Sequence, residues 1–357
     1  MRADRSGPGD LAGRVGVIAH PAAGRGRVGR HLDEVLAALG PADPLVLSAA
    51  TAADVVAKAH DAIHADVAGL VAVGGDGTAH LALQAVAGTG VPLGLVPLGT
   101  GNDLADAVGV PAGPIEAAQA VLADLSAVRT TPIDAVRVSG AAPHGAAPHC
   151  AAPHGAGSGG AGSGGAGSGG AGSGGAGSGG AGSGGAGSGG DHWYAAILSV
   201  GFDSAVNARA NRMRWPRGPR RYDVAILAEL ARLRTYALTL DLDGVRVETP
   251  ALLAAIGNTR SYGGGMRMCP DADPTDGLLD VTVVGPVTRR ELIRVKPRLY
   301  DGTHVTHPAV RTYRAATIRV DAPEASVFAD GEPRPAPPLT LTVVPGALHL
   351  LGAQLPG

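Results

Sequence analysis

The chain has 357 residues, 45% of them hydrophobic, and a formal net charge of −2. No apolar stretch approaches the roughly 20 residues that cross a bilayer, and the near-neutral charge excludes a protein that binds nucleic acid over its whole surface. Arginine outnumbers lysine 27 to 2, and Lys58 and Lys296 stand in no GxxxxGK[ST] run, which excludes a Walker-type phosphate loop.

Residues 1–13 carry charges but no apolar h-region, so they read as a flexible tail rather than a secretory signal. Cys150 and Cys269 are far apart and fit neither a disulfide framework nor a zinc spacing, and a reducing cytoplasm is the compartment this implies. At about 100–200 residues per domain, the length predicts two domains.

Apolar runs then alternate with helical ones. Strand-like segments at 14–20, 44–49, 69–73 and 92–99 are followed by helical stretches at 30–40, 51–65, 78–88 and 102–110. That alternation predicts an α/β domain with a mainly parallel sheet over 14–133. Thr51, with Asp54 three residues on, marks a helix start.

The turns closing these strands carry the chemistry. "GGDGT", Gly74 to Thr78, follows the apolar run Leu70–Val73 and leads into a helix. Amide N–H groups in such a turn form a concavity for an anion, and the helix N-terminus adds partial positive charge. Phosphate suits it, but Asp76 would repel bare phosphate, so the pairing makes sense when Mg²⁺ lies between them. The alternative is a ligand-free turn in which glycine supplies positive φ and Asp76 caps a helix. Residues 97–103, "PLGTGND", close the next strand with a second glycine turn carrying Thr100, Asn102 and Asp103. In a parallel sheet the two turns emerge at one edge. The first turn holds a formal GxGxxG at Gly24, Gly26 and Gly29; Arg25 and Arg27 in its variable positions favour a phosphate-contacting loop over a dinucleotide fingerprint.

From 141 to 190 the sequence is ten uncharged pentads, three of the AAPHG type and seven of AGSGG. This block reads as a disordered tether or spacer. His144, His149 and His154 recur with the pentad, and Cys150 stands once where its neighbours have Gly, so the repeat accounts for the histidines without a metal cluster. Loop closure costs only about 0.6 kcal/mol per doubling of length, so 131–140 and 191–202 are expected to pair as a hairpin across the insertion.

Beyond it, one helical stretch at 221–233 precedes strand-like runs at 236–244, 245–258, 278–287, 316–323, 326–332 and 339–351. A β-rich, sandwich-like second domain is predicted over 134–339, with about 340–357 completing the first. The cleft between the domains is the expected site. Six arginines between 209 and 221 (Arg209, Arg212, Arg214, Arg217, Arg220 and Arg221) are interleaved with Met213 and Trp215 and followed by Tyr222. That mixture suits an anionic membrane surface or a plain solvated face.

Taken in order, "HPAAGRGR", "VAVGGDGT", "PLGTGNDLA", "SYGGGMRMCPDADPTDGLLDVTVV" and "FADGEP" closely resemble the diacylglycerol kinase catalytic-domain family, in particular its bacterial soluble lipid kinases. The resemblance implies an enzyme that uses ATP and Mg²⁺ to phosphorylate a lipid hydroxyl, diacylglycerol first. A sphingoid base or NAD remains an alternative acceptor, and a non-catalytic nucleotide-binding regulator an alternative role. It implies nucleotide contacts at His20, Pro21, Ala22, Ala23 and Gly24, at Ser48, at Gly74, Gly75, Asp76, Gly77 and Thr78, and at Thr100. Asp76 and Asp103 would flank the ATP-bound Mg²⁺. Asp273 and Leu278, through their carbonyls, and Asp276, through its carboxylate, would hold a second, structural Mg²⁺. Glu332 would be the general base, with Asp330 a further essential carboxylate beside it. Two departures stand out: His20 replaces a usual Asn, and His80 and Leu81 replace "NE". The implied setting is the cytoplasmic face of the membrane, with a lipid substrate and no nucleic acid, and a homodimer is compatible with it.

Overall fold

The structure, a computed structural model, describes residues 13–20, 23–99, 101–140, 192–213, 215 and 220–355, without the side chains of 23–26 and 223. The expectations for the tail, the 141–190 block, Pro21, Ala22, Thr100, Arg214 and Arg217 therefore lie outside the described residues.

Four apolar runs form parallel strands, β1 (Val15–Ala19), β2 (Pro44–Leu47), β3 (Gly69–Gly74) and β4 (Leu93–Pro97). They stand in the order β2-β1-β3-β4, and β1, β3 and β4 are buried along their whole length. Burial on both faces is what crossover helices impose. Those helices are α1 (Ala23–Ala38), α2 (Ala52–His64), α3 (Asp76–Val86), α4 (Asp103–Ala107) and α5 (Pro114–Ser126). Thr51 caps α2 as expected, its hydroxyl accepting from the Asp54 N–H at 3.2 Å. The chain order did not single out α5, although Pro114 at its first turn and its apolar spacing are the usual helix-start signals.

Next come β5 (Thr131–Gly140) and β6 (His192–Tyr194), which pair antiparallel with Val136 opposite Tyr194, the hairpin expected across the insertion. The remaining elements are β7 (Ile197–Gly201), α6 (Phe202–Arg212), α7 (Arg220–Arg232), β8 (Tyr236–Leu242), β9 (Val245–Ala251), β10 (Leu253–Gly257), β11 (Leu279–Val284), α8 (Arg289–Val295), α9 (Arg298–Asp301), β12 (Val310–Ala315), β13 (Thr317–Asp321), β14 (Val327–Ala329), β15 (Glu332–Pro333) and β16 (Leu339–Leu351). One sheet is antiparallel throughout, in the order β12-β11-β10-β7-β14-β15. The single run expected at 245–258 divides at Leu252, feeding β9 to the first sheet and β10 to the second.

β16 joins the two parts. Its last residues, Leu350 and Leu351, lie parallel to β4, whereas Leu339–Thr342 lie antiparallel to β13. A register shift between Val344 and Leu348 bends the strand. Leu348 and Leu350 thereby enter the core under the helices, while Leu339 and Leu341 enter the core between the sheets. Among the described residues no helix is long and apolar enough to cross a membrane.

Candidate active site

Gly74 of β3 stands beside Pro97 of β4, so the two glycine turns leave the sheet together. They touch: a Cβ on Gly99 would sit 2.4 Å from the Gly75 Cα, so only glycine allows this approach. The helix after the first turn begins at Asp76 rather than at residue 78, with Gly75 as its cap. Asp76 reaches across to the second turn, where its carboxylate accepts the N–H groups of Asn102 at 2.9 Å and Asp103 at 2.6 Å. Asp76 thus caps a helix, α4, and stands beside Asp103, but the glycines of its own turn do not adopt the positive φ of a ligand-free turn: Gly75 has φ of −106°. Asp103 in turn accepts the N–H groups of Gly263 at 2.6 Å and Gly264 at 3.0 Å.

Burial, and then the charge of Asp103, push the Asp76 carboxyl above its ordinary value, against the pull of the two N–H bonds. Among the described residues neither aspartate forms an ion pair with an arginine or lysine. Two repelling carboxylates with lone pairs to spare fit Mg²⁺, which takes one or two carboxylates and completes its shell with phosphate oxygens and water. No described group of three or more His, Cys, Asp and Glu could enclose a metal by itself.

"ADGEP" comes from the other sheet. Asp330 and Gly331, with φ of 48° and 80°, make the two-residue turn between β14 and β15. Asp330, the further essential carboxylate that the resemblance implies, is tied to the backbone: its oxygens accept from the N–H groups of Ala195 at 2.9 Å, Ala196 at 3.0 Å and Ile197 at 3.2 Å. Burial pushes its carboxyl up to about 6 against those three bonds, which tie the turn to residues 195–197. Glu332 is left half-buried, and its Oε1 lies 3.8 Å from where a Cβ on Gly77 would stand. The carboxylate from the second sheet therefore faces the N-terminus of α3.

The other expected residues divide. Ala19 is level with Val73, which sets His20 level with Gly74 at the same sheet edge. Ala23 and Gly24 are not loop residues, because α1 already begins at Ala23. A helix N-terminus offers the same free N–H groups as a glycine loop, which is why the substitution is possible. Thr78 is buried in the first turn of α3. Ser48 is exposed beyond β2, its carbonyl accepting from Lys58 Nζ at 2.6 Å.

Asp273, Asp276 and Leu278 share one turn. Asp276 accepts the Leu278 N–H at 2.9 Å and is bound by the Arg314 guanidinium, so this carboxylate already has a cationic partner. Asp273 binds the Thr275 N–H and hydroxyl. Among the arginines expected at a membrane, Arg209 is bound to Glu229 and Arg221 lies over the Tyr222 ring at 5.1 Å.

Two family descriptions match the chain: "Diacylglycerol kinase catalytic domain" over residues 14–138 and "YegS C-terminal NAD kinase beta sandwich-like domain" over 196–352. A diacylglycerol kinase of Mycobacterium tuberculosis is 35% identical over 348 residues, 95% of each chain. The chain belongs to the diacylglycerol kinase family. A YegS-like lipid kinase of Xanthomonas axonopodis is 25% identical over 303 residues, covering 81% of this chain and 79% of that one. A diacylglycerol kinase structure from Bacillus anthracis superimposes with a TM-score of 0.61 at 18% identity, covering 95% of this chain and 96% of that one, which is a likeness of fold. In this member of the diacylglycerol kinase family, Asp76 and Asp103 lie in the first matched region and Glu332 in the second.

Several residues that build the site escaped the sequence reading. Asp134, buried within β5, accepts the N–H groups of Gly277 at 2.8 Å and Gly346 at 2.9 Å, tying the 273–278 turn to the bend in β16. A carboxylate at an inward register of an apolar strand was the available signal. Asn258 Nδ2 donates to the carbonyls of Asp134 and Ala195, both at 2.9 Å.

Proposed function

We propose that this protein transfers the γ-phosphoryl group of ATP to the hydroxyl of a lipid, diacylglycerol first, to give phosphatidic acid. The observation that carries the reading is the placement of the Glu332 carboxylate opposite the amide-rich start of α3. Phosphoryl transfer asks a protein chiefly for positioning and charge stabilisation. The N–H groups at the starts of α1 and α3 receive phosphate oxygens, and Asp76 and Asp103 would hold Mg²⁺, whose charge offsets that of the triphosphate. Glu332 accepts the proton of the lipid hydroxyl as that oxygen bonds to the γ-phosphorus and the bond to the β-phosphate oxygen breaks. ADP leaves, and the proton passes from Glu332 to solvent. Nucleotide thus binds to the part built on the parallel sheet, and lipid to the part built on the antiparallel one.

Membrane contact falls to the described part of the arginine segment and to α7. Trp215 is 82% exposed, and Val224 and Leu227 turn outward on α7 near Arg220. Apolar tips among guanidinium groups suit an anionic bilayer, each cation contributing about 1 kcal/mol. The supporting experiment offers labelled ATP with diacylglycerol, a sphingoid base and NAD in turn, comparing wild type with Glu332→Gln. Turnover on diacylglycerol, reduced about 10²–10⁴-fold in the variant, is expected. Turnover on NAD alone, or full activity of Glu332→Gln, sinks the proposal.

A further inference from the structure

Glu332 belongs to a two-residue strand, too short to fix a side chain, yet the chain on either side of it is held by side-chain contacts. Two residues on, Arg334 is partly buried and donates from Nη2 to Nε2 of His80 on α3, 3.3 Å away. A guanidinium has only donors, so His80 must be neutral with Nε2 bare and its proton on Nδ1. Burial, then the charges of Arg334 and His192, press the His80 imidazole down to about 3, which keeps it an acceptor at any working pH. Nδ1 is buried with no partner among the described residues, so the ring is retained at the cost of an unmade hydrogen bond.

One turn further along α3, Gln84 grips β6 with both ends of its amide. It donates to the Trp193 carbonyl at 2.8 Å and accepts the Trp193 N–H at 3.0 Å. Trp193 is followed by Ala195, Ala196 and Ile197, whose N–H groups hold Asp330. The contacts thus run in a closed ring: α3 to Trp193 through Gln84, along the chain to Asp330, through Asp330 to Glu332 and Arg334, and through His80 back to α3. Gly77, which Glu332 faces, lies on that same helix.

We infer that Arg334, His80 and Gln84 are positioning residues which fix the Glu332 carboxylate against the start of α3. The inference rests on the assignment of Glu332 as the base. A general base must stand within about 3 Å of its proton, and misplacement by about 1 Å costs on the order of a hundredfold.

The test is a double-mutant cycle on the full chain with diacylglycerol in mixed micelles, reading kcat and the KM for ATP. Arg334→Ala is expected to lower kcat between about tenfold and a hundredfold while the KM for ATP stays within about twofold, and to cause no further loss in a Glu332→Gln background. Arg334→Gln, which keeps a donor for His80, should recover part of the loss. Gln84→Glu, which loses the donor to Trp193, should repeat the pattern more weakly and serves if Arg334→Ala does not fold. An equal fractional loss in both backgrounds, or a rise in KM with kcat untouched, overturns the inference. Full turnover by Arg334→Ala beside an inactive Glu332→Gln sinks this inference alone; full turnover by Glu332→Gln sinks the base assignment and this inference with it.

Discussion

Glu332 Oε1 stands 3.8 Å from the point where a side chain on Gly77 would begin, and among the described residues outside Gly77's own helical turn nothing else lies within 4 Å of that point. Gly77→Ala therefore meets no clash and should gain helix propensity, about 1 kcal/mol. The methyl group would occupy the gap in which phosphate and acceptor must meet. We expect the thermal midpoint to hold or rise while kcat falls, so a variant with unchanged kcat would place the reacting groups elsewhere.

Gly99 permits no such change. Its Cβ would lie 2.4 Å from the Gly75 Cα, backbone against backbone, so the two turns would have to separate. Gly99→Ala is expected to destabilise by about 1–3 kcal/mol and to weaken ATP binding, checked by urea unfolding and nucleotide titration. Wild-type values in both would show that the turns are not held in contact.

Asp330 and His80 should tilt the pH dependence of stability in opposite senses. Asp330, raised to about 6 by burial, contributes stability that is full below about pH 4 and is lost as pH rises through 6. His80, lowered to about 3, contributes stability that is full above pH 6.5 and is lost as pH falls toward 3. Urea unfolding between pH 4.5 and 7 should show Asp330→Asn losing most, relative to wild type, at the acid end, and His80→Asn losing most at the neutral end. Parallel profiles would count against both assignments.

Arg314 occupies the carboxylate of Asp276 and also reaches Asp280, Nε to Oδ2 at 3.2 Å. Without nucleotide, Mg²⁺ should then leave the wild-type thermal midpoint unchanged. In Arg314→Gln, which frees two neighbouring carboxylates, added Mg²⁺ should raise it. A clear Mg²⁺ stabilisation of the wild type would instead restore a metal to the 273–278 turn.

Much of this was legible in the sequence because it is local. Strand ends, glycine turns, the Thr51 cap and the β5–β6 pairing follow from hydrophobic periodicity and turn chemistry. What only the folded chain decided is who satisfies whom. His80 and Arg334 are 254 residues apart and Gln84 and Trp193 are 109 apart, and no spacing rule links them. The same holds for Asp330, given over to three backbone N–H groups, for Arg314 on Asp276, and for β16 shared between two cores. Buried polar groups must find partners wherever packing brings a donor and an acceptor together. Those meetings are settled by tertiary contacts, after local structure has used its own signals.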